Sequence, residues 1–342
     1  MKAMGLACLG IGIAVAGSLS LASARGFRRE VGPPENPRQS GPQLFGPGVL
    51  STPDDEFGGT LSPDGRTFLY CKSVPRSQFY VIVESHHDGG RWSAPRIASF
   101  SGRYRDSDPV FSRDGSRVYF VSDRPVAGVD RKNFDVWSVA RRDESWGEPE
   151  NLGPPVNSDK NEYFVSFTRD GTIYFTSARE GSRGPIDVWR SQWADGRYGE
   201  PENLGETING KNWLNVEAWI AEDESFLLVG AFGHADGPGD SDIFVSYRRD
   251  GVFGPLRPLG SDVNTAAREY SPRISLDGQW LFFTSERGMP TRRRARPWTR
   301  EEFLRASTSI ENGLGNIYRI RLAEALAQAP GAEMAPASRR TP

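Results

Sequence analysis

Cysteine and histidine are almost missing from this 342-residue chain. It has two cysteines, Cys8 and Cys71, and three histidines, His86, His87 and His234. Cys8 lies in an N-terminal apolar run, so the folded part carries one thiol, which builds neither an intrachain disulfide nor a multi-cysteine metal site. Cys71 ends the strand-like run Thr67-Phe68-Leu69-Tyr70-Cys71 and reads as a buried apolar thiol. There is no His-Glu-x-x-His, no Gly-x-Ser-x-Gly and no Gly-x-x-x-x-Gly-Lys followed by Ser or Thr (Gly205–Lys211 has the spacing but is followed by Asn212), which removes the complete signatures of zinc peptidases, α/β-hydrolases and phosphate-binding loops. Charge of one sign is also lacking. Lys and Arg number 42 and Asp and Glu 44, a net of −2, so no global field draws nucleic acid or an anionic membrane. Beyond the N-terminus no apolar stretch approaches membrane-spanning length.

The N-terminus reads as an export signal. Lys2 precedes an apolar run from Ala3 to Ala16, and Ala22-Ser23-Ala24 is the small-x-small pattern of a signal-peptidase site. Cleavage after Ala24 is expected, giving a periplasmic or secreted protein with no membrane span. The competing reading, an uncleaved anchor, is disfavoured by the small residues before Arg25. Cys8 sits too early for lipidation. Residues 25–40, rich in Arg, Pro and Gly, read as a linker.

What the chain has in abundance is Gly (38), Pro (25) and aromatics (11%), the mix of many short strands joined by turns. A unit best seen at 161–206 recurs. Its turn markers are Asp64-Gly65, Asp114-Gly115, Asp170-Gly171, a degenerate Glu224-Ser225, and Asp277-Gly278, spaced 50, 56, 54 and 53 residues apart. Gly supplies positive φ there and Asp tolerates tight turns, so each marker is a hairpin. The second strands are Thr67–Cys71, Arg117–Ser122, Thr172–Ser177, Phe226–Gly230 and Trp280–Thr284. Third strands carry Asp135-Val136-Trp137, Asp187-Val188-Trp189, Asp242-Ile243-Phe244 and Asn316-Ile317-Tyr318. A fourth follows an aromatic residue (Trp92, Trp146, Tyr198 or Phe253), which is expected to pack blade against blade.

Four antiparallel strands in about 53 residues make one propeller blade. The last repeat lacks its fourth strand, whereas Pro42-Gln43-Leu44-Phe45-Gly46-Pro47 looks like an orphan repeat end. The expected fold is therefore all-β: a five-bladed β-propeller over 41–322, its last blade closed by the N-terminal strand. Residues 323–342 read as a helix-like and then disordered tail.

Leu61-Ser62-Pro63-Asp64-Gly65, Ser275-Leu276-Asp277-Gly278 and the Asp-Val-Trp strands resemble the WD40-like PD40 repeats of TolB-like exported propellers, over about residues 42–322. The resemblance implies the fold and an exported location. It is weak for activity, and TolB's additional N-terminal domain has no counterpart here.

Antiparallel alternation puts the loops joining fourth to first and second to third strands on one face. On that face Glu56, Asp106, Glu162 and Glu269 each stand eight residues before a turn marker, and the fourth repeat has Val216 there, next to Glu217. These acids either ring the channel mouth as a cation or ligand site or bond a neighbouring blade as scaffold. Two inserts leave the same face. Residues 233–242 hold Asp236, Asp240 and Asp242, weak calcium candidates without EF-hand spacing. Residues 288–313 hold Arg292, Arg293, Arg294, Arg296, Trp298 and a helix-like Thr299–Arg305, a basic, aromatic protrusion suited to a partner. The functional expectation is a monomeric, non-enzymatic binding propeller without cofactor that recognises a protein or cell-envelope component through the channel face. The alternative is a glycoside hydrolase using channel carboxylates such as Glu162 and Asp108.

Overall fold

The computed structural model describes residues 40–74, 78–143, 145–288 and 294–330. Residues 1–39, which hold the expected signal segment and nearly all of the expected linker, Arg292, Arg293 and the last twelve residues lie outside them. Five antiparallel sheets stand around one axis. Blade 1 is built on Asp55–Leu61, Thr67–Ser73, Tyr80–Asp88 and Arg96–Ile97, and blade 2 on Asp106–Phe111, Arg117–Ser122, Asp135–Arg142 and Glu150–Asn151. Blade 3 uses Glu162–Phe167, Ile173–Ser177, Asp187–Ser191 and Glu202–Asn203; blade 4 uses Leu214–Ile220, Phe226–Phe232, Ser241–Arg249 and Arg257–Pro258. Blade 5 has Glu269–Ile274, Trp280–Ser285 and Asn316–Arg321. Its outer strand is Gln43–Leu44, paired antiparallel to Arg319 and Tyr318. The expected fold and its closure by the N-terminal strand are thus both present.

The turn chemistry explains the repeat. Ser62 Oγ donates to Asp64 Oδ1 at 2.6 Å, the same carboxylate accepts Arg66 N–H at 3.0 Å, and Gly65 holds φ +68°. Ser112–Asp114, Thr168–Asp170 and Ser275–Asp277 repeat the arrangement. These hydroxyl and amide donors hold the Asp114 and Asp170 carboxyls below the usual carboxylate range.

Blade 4 corrects the sequence reading by one residue. There Asp223 accepts Ser225 N–H at 3.0 Å and Glu224 takes the left-handed position with φ +57°. The marker is therefore Asp223-Glu224 and not Glu224-Ser225. With a non-glycine in the place that usually demands glycine, the local signal was lost. The strained turn is held from outside: Tyr174 Oη donates to Glu224 at 2.6 Å, and Arg248 is ion-paired with it. The residue eight before the true marker is Asn215, not Val216.

The repeat aromatics lie between blades. The Trp146 ring meets Phe111 and Phe100, and its Nε1 reaches Glu84 of blade 1 at 2.9 Å. Trp92 meets Phe45 and Phe68 at 5.7 and 5.9 Å between ring centres. Cys71 is fully buried.

Candidate functional site

The four repeat acids are buried locks. Glu162 accepts from Ser158 N (2.9 Å), Ser158 Oγ (2.5 Å) and Ser177 Oγ (2.8 Å), with the Arg179 guanidinium at 3.3 Å. Glu269 repeats this with Thr265, Ser285 Oγ at 2.6 Å and Arg287 at 3.6 Å. Asp106 accepts from Ser101 Oγ at 2.9 Å and Arg124 at 2.6 Å. Glu56 accepts from Thr52 and, across the closure, from Asn316 of blade 5 at 3.1 Å, with Lys72 at 3.2 Å as its cation. All four are fully buried. Burial raises the carboxyls of Glu56, to about 7, and of Asp106 and Glu162, against the pull of these donors.

The arginines are the part that spacing alone did not reveal. Ser122-Asp123-Arg124, Ser177-Ala178-Arg179 and Ser285-Glu286-Arg287 form a Ser-x-Arg signature at the end of the second strand. Arg179 donates to Pro155 O at 3.1 Å and to Val156 O, and stacks over Phe175 and Trp189 at 4.8 and 5.5 Å. Arg287 donates to Asp262 O and Val263 O and covers Tyr318 at 4.9 Å. In blades 2, 3 and 5 acid and arginine together pin the loop that leads into the blade. In blade 4 the set changes as a unit: Asn215 replaces the acid, Ala231 the serine and Gly233 the arginine. Asn215 bonds Ile208 O and Asn209 Oδ1 at 2.9 and 3.0 Å.

Two residues beyond each lock position the inner strand bulges, and a different residue stands there in every blade: Gly58, Asp108, Phe164, Glu217 and Ser271. Four of these five have positive φ. A β-carbon on Gly58 would stand 3.5 Å from Asp108 Oδ1, 3.7 Å from Cys71 Sγ and 3.9 Å from Ser271 Oγ, so these groups converge. Glu217 accepts from Ser271 Oγ at 2.8 Å and from its backbone N–H. Below them Arg273 is 1% exposed. Its guanidinium lies 3.6 Å from Asp108 Oδ1 and 4.2 Å from the Phe164 ring centre, and none of its nitrogens has a hydrogen-bond acceptor among the described residues.

Burial, then the Asp108 charge, pushes Glu217 up to about 8. Between the ordinary carboxylate value of about 4.5 and these raised values the folded state holds protons that the unfolded chain releases. Stability therefore falls as pH rises through the window from about 4.5 to 8. We expect the melting temperature to drop by several degrees between pH 5 and pH 8.5 at constant ionic strength. Glu217→Gln, which still accepts from Ser271, should flatten the upper part of that fall and melt higher than wild type at pH 8.5. Parallel curves for the two proteins would refute it.

Of the last-blade insert, residues 294–313 are described. Helix Arg300–Ser307 begins with a capping box: Thr299 Oγ accepts Glu302 N–H at 3.2 Å and Glu302 accepts Thr299 N–H at 3.1 Å. Arg296 grips Glu302 with two bonds, at 3.0 and 2.5 Å, which holds that carboxyl down at about 2. The Arg294 guanidinium lies 3.6 Å over the Trp298 ring, which sits edge-on to Phe303. The insert is tied to blade 1 by Asn312 Nδ2 to Pro53 O at 2.9 Å. Its helix buries no residue, and Trp298, Phe303, Leu304 and Leu314 are all exposed.

The three calcium candidates do not converge. Asp242 accepts Gly239 N–H at 3.0 Å and is pushed up to about 6 by burial, whereas the Asp240 side chain is solvent-facing near Arg268. Among the described residues no three His, Cys, Asp or Glu side chains are placed to hold a metal. The open space is on the opposite, hairpin face. A depression of about 310 Å³ occupies the channel mouth there, and a groove of about 1020 Å³ runs between blades 2 and 3.

No family model matches the chain. An uncharacterized protein of Agrobacterium fabrum is 30% identical over 173 residues, covering 50% of this chain and 53% of that protein; the chain thus spans about half the length of the curated relative it matches. TolB from Acinetobacter baumannii is similar in structure over 78% of this chain and 54% of its own, at 14% identity and a TM-score of 0.45. An α-L-arabinofuranosidase from Lactobacillus brevis covers 80% of this chain and 92% of its own, at 11% identity and a TM-score of 0.48. Likenesses at this level carry no information on activity. Among the described residues no helix is long and apolar enough to cross a membrane.

Proposed function

We propose that this protein is an exported, non-enzymatic binding propeller that docks a protein partner through the insert of its last blade. The observation that supports this reading is the capped helix Arg300–Ser307, which buries nothing yet displays Leu304 and Phe303, the latter edge-on to exposed Trp298. The ring closes through Gln43–Leu44 without help from this helix, so the insert is not needed to seal the fold. Exposed apolar area costs about 25 cal/mol per Å² relative to burial, and a clustered patch with a charged rim is the ordinary form of an interface centre. Arg300 and Arg305 flank the patch, which suits an apolar pocket rimmed by carboxylates. The repeat acids, by contrast, are occupied in holding loops, and Glu162 has no surface to offer a substrate.

A photo-crosslinking side chain placed at Phe303 in producing cells tests the reading. The expected result is a discrete adduct at 303 that disappears when Trp298→Ala is added and is absent when the crosslinker sits at exposed Val129. Truncating a central aromatic anchor typically costs about 2 kcal/mol or more of binding. No adduct at 303, or the same adducts at 129, would sink it.

A further inference from the structure

We propose that the groove between blades 2 and 3 is a second binding site, independent of the insert and on the opposite face, for an acidic oligosaccharide. The case rests on blade 3, where Trp193 stands at the hairpin position that is arginine in blades 2 and 4. In four blades the hairpin joining the third and fourth strands pairs the repeat aromatic with a partner residue: His87 with Trp92, Arg141 with Trp146, Trp193 with Tyr198, and Arg248 with Phe253. Arg141 reaches back to Thr67 Oγ1 at 3.1 Å and Asp64 at 3.8 Å, and Arg248 holds Glu224. In each of these two blades the residue ties the hairpin to a turn of the inner strands.

Blade 3 gives that role up. Trp193 replaces the arginine and is 45% exposed. It leans over Gly171, where a β-carbon would touch the indole at 3.4 Å, and meets Tyr198 edge-on at 4.7 Å. The pair forms its own two-stranded piece, Trp193–Ala194 with Arg197–Tyr198, detached from the blade sheet. The indole is left as one wall of the groove.

Charge identifies the ligand class. Four arginines line the groove: Arg113, Arg117, Arg169 and Arg197. Arg117 bonds Glu150 at 2.8 Å. Arg113 and Arg169 share the single carboxylate of Glu222. Arg197 has no ion-pair partner among the described residues. Against these stand Glu150, Glu200 and Glu222, so the groove keeps an unmatched positive charge beside an open aromatic face. Guanidinium beside carboxylate is a strong, directional pairing. A volume of about 1020 Å³ is at the top of the range for small-ligand sites, which suits several linked rings.

An extended acidic peptide fits less well. The exposed outer strand Glu150–Asn151 is two residues long and is followed by Pro154 and Pro155, which have no N–H to donate, so a peptide finds little edge to extend. A ring stacked on Trp193, with its carboxylate on Arg197, needs no such edge.

The test is calorimetric titration of the purified full chain with oligogalacturonate, with the methyl-esterified oligomer and with oligoglutamate of equal charge. The expected result is binding of the first. Esterification, Trp193→Ala or Arg197→Gln should each weaken it roughly tenfold or more, Trp193→Tyr should retain most of it, and Phe303→Ala should leave it unchanged. The melting temperatures of the exposed-site variants should match wild type. No binding of oligogalacturonate, binding indifferent to Trp193→Ala, or equal binding of oligoglutamate would overturn the proposal. Loss of crosslinking at the insert would leave these titrations unaffected, so the two readings fail separately.

Discussion

Glu162→Ala is expected to destabilise the protein by about 3–5 kcal/mol, the usual cost of removing one partner from a buried ion pair. The mutation strands the Arg179 guanidinium and leaves the Ser158 and Ser177 hydroxyls without their shared acceptor. It also frees the loop at Pro155 and Val156 that Arg179 holds. The matching change in blade 4, Asn215→Ala, involves no cation and should cost about 1–3 kcal/mol, the range for orphaned neutral donors and acceptors. Urea unfolding monitored by tryptophan fluorescence measures both. A Glu162→Ala protein within about 1 kcal/mol of wild type would show that the acid is not a lock. The comparison also protects any assay of the channel carboxylates. Loss of an activity in a Glu162 variant would report unfolding before it reported chemistry.

Removing the closing strand should have an effect of similar or greater size. Phe45 is 2% exposed and packs its ring on Phe68 and Phe282 at 4.9 and 5.0 Å, while its N–H bonds Ile317 O at 2.8 Å. Phe45→Ala is expected to cost about 3–5 kcal/mol, as for other buried aromatic truncations. Deleting residues 41–47 should do more than add that loss. It uncovers the edge of Asn316–Arg321, and an open strand edge is a template for pairing with another chain. We expect this deletion variant to elute as concentration-dependent oligomers and to melt well below wild type. A monomer with an unchanged melt would mean that blade 5 is stable with three strands.

These two predictions concern features that were legible to different degrees. The orphan Pro42-Gln43-Leu44-Phe45-Gly46-Pro47 block shares its Pro, Leu and Gly-Pro positions with Pro149-Glu150-Asn151-Leu152-Gly153-Pro154, because a blade's outer strand carries similar residues wherever it starts in the chain. The capped helix in the insert was legible for a similar reason: Thr299 and Glu302 act within one turn. The blade 4 turn lies one residue earlier than its sequence suggests, because Glu224 sits in the left-handed position that glycine marks elsewhere. With the register corrected, Glu217 stands level with Asp108 and Ser271, and the three meet across the axis.

The sequence by itself determined the number of blades, the way the ring closes, and the stretches that interrupt the repeat, 233–242 and 288–313. Each of these depends on contacts within one repeat, or between copies of one repeat, and so is written in the period. Only the tertiary structure decided what the breaks mean. A bulge in every inner strand shifts the two-residue alternation, so spacing alone could not say which side chains face the channel. Whether Glu162 is a ligand or a lock depends on Arg179, seventeen residues away and brought beside it by strand pairing. Whether Trp193 is packing or surface depends on how its hairpin leaves the blade. Those are distances between residues far apart in the chain, and folding sets them.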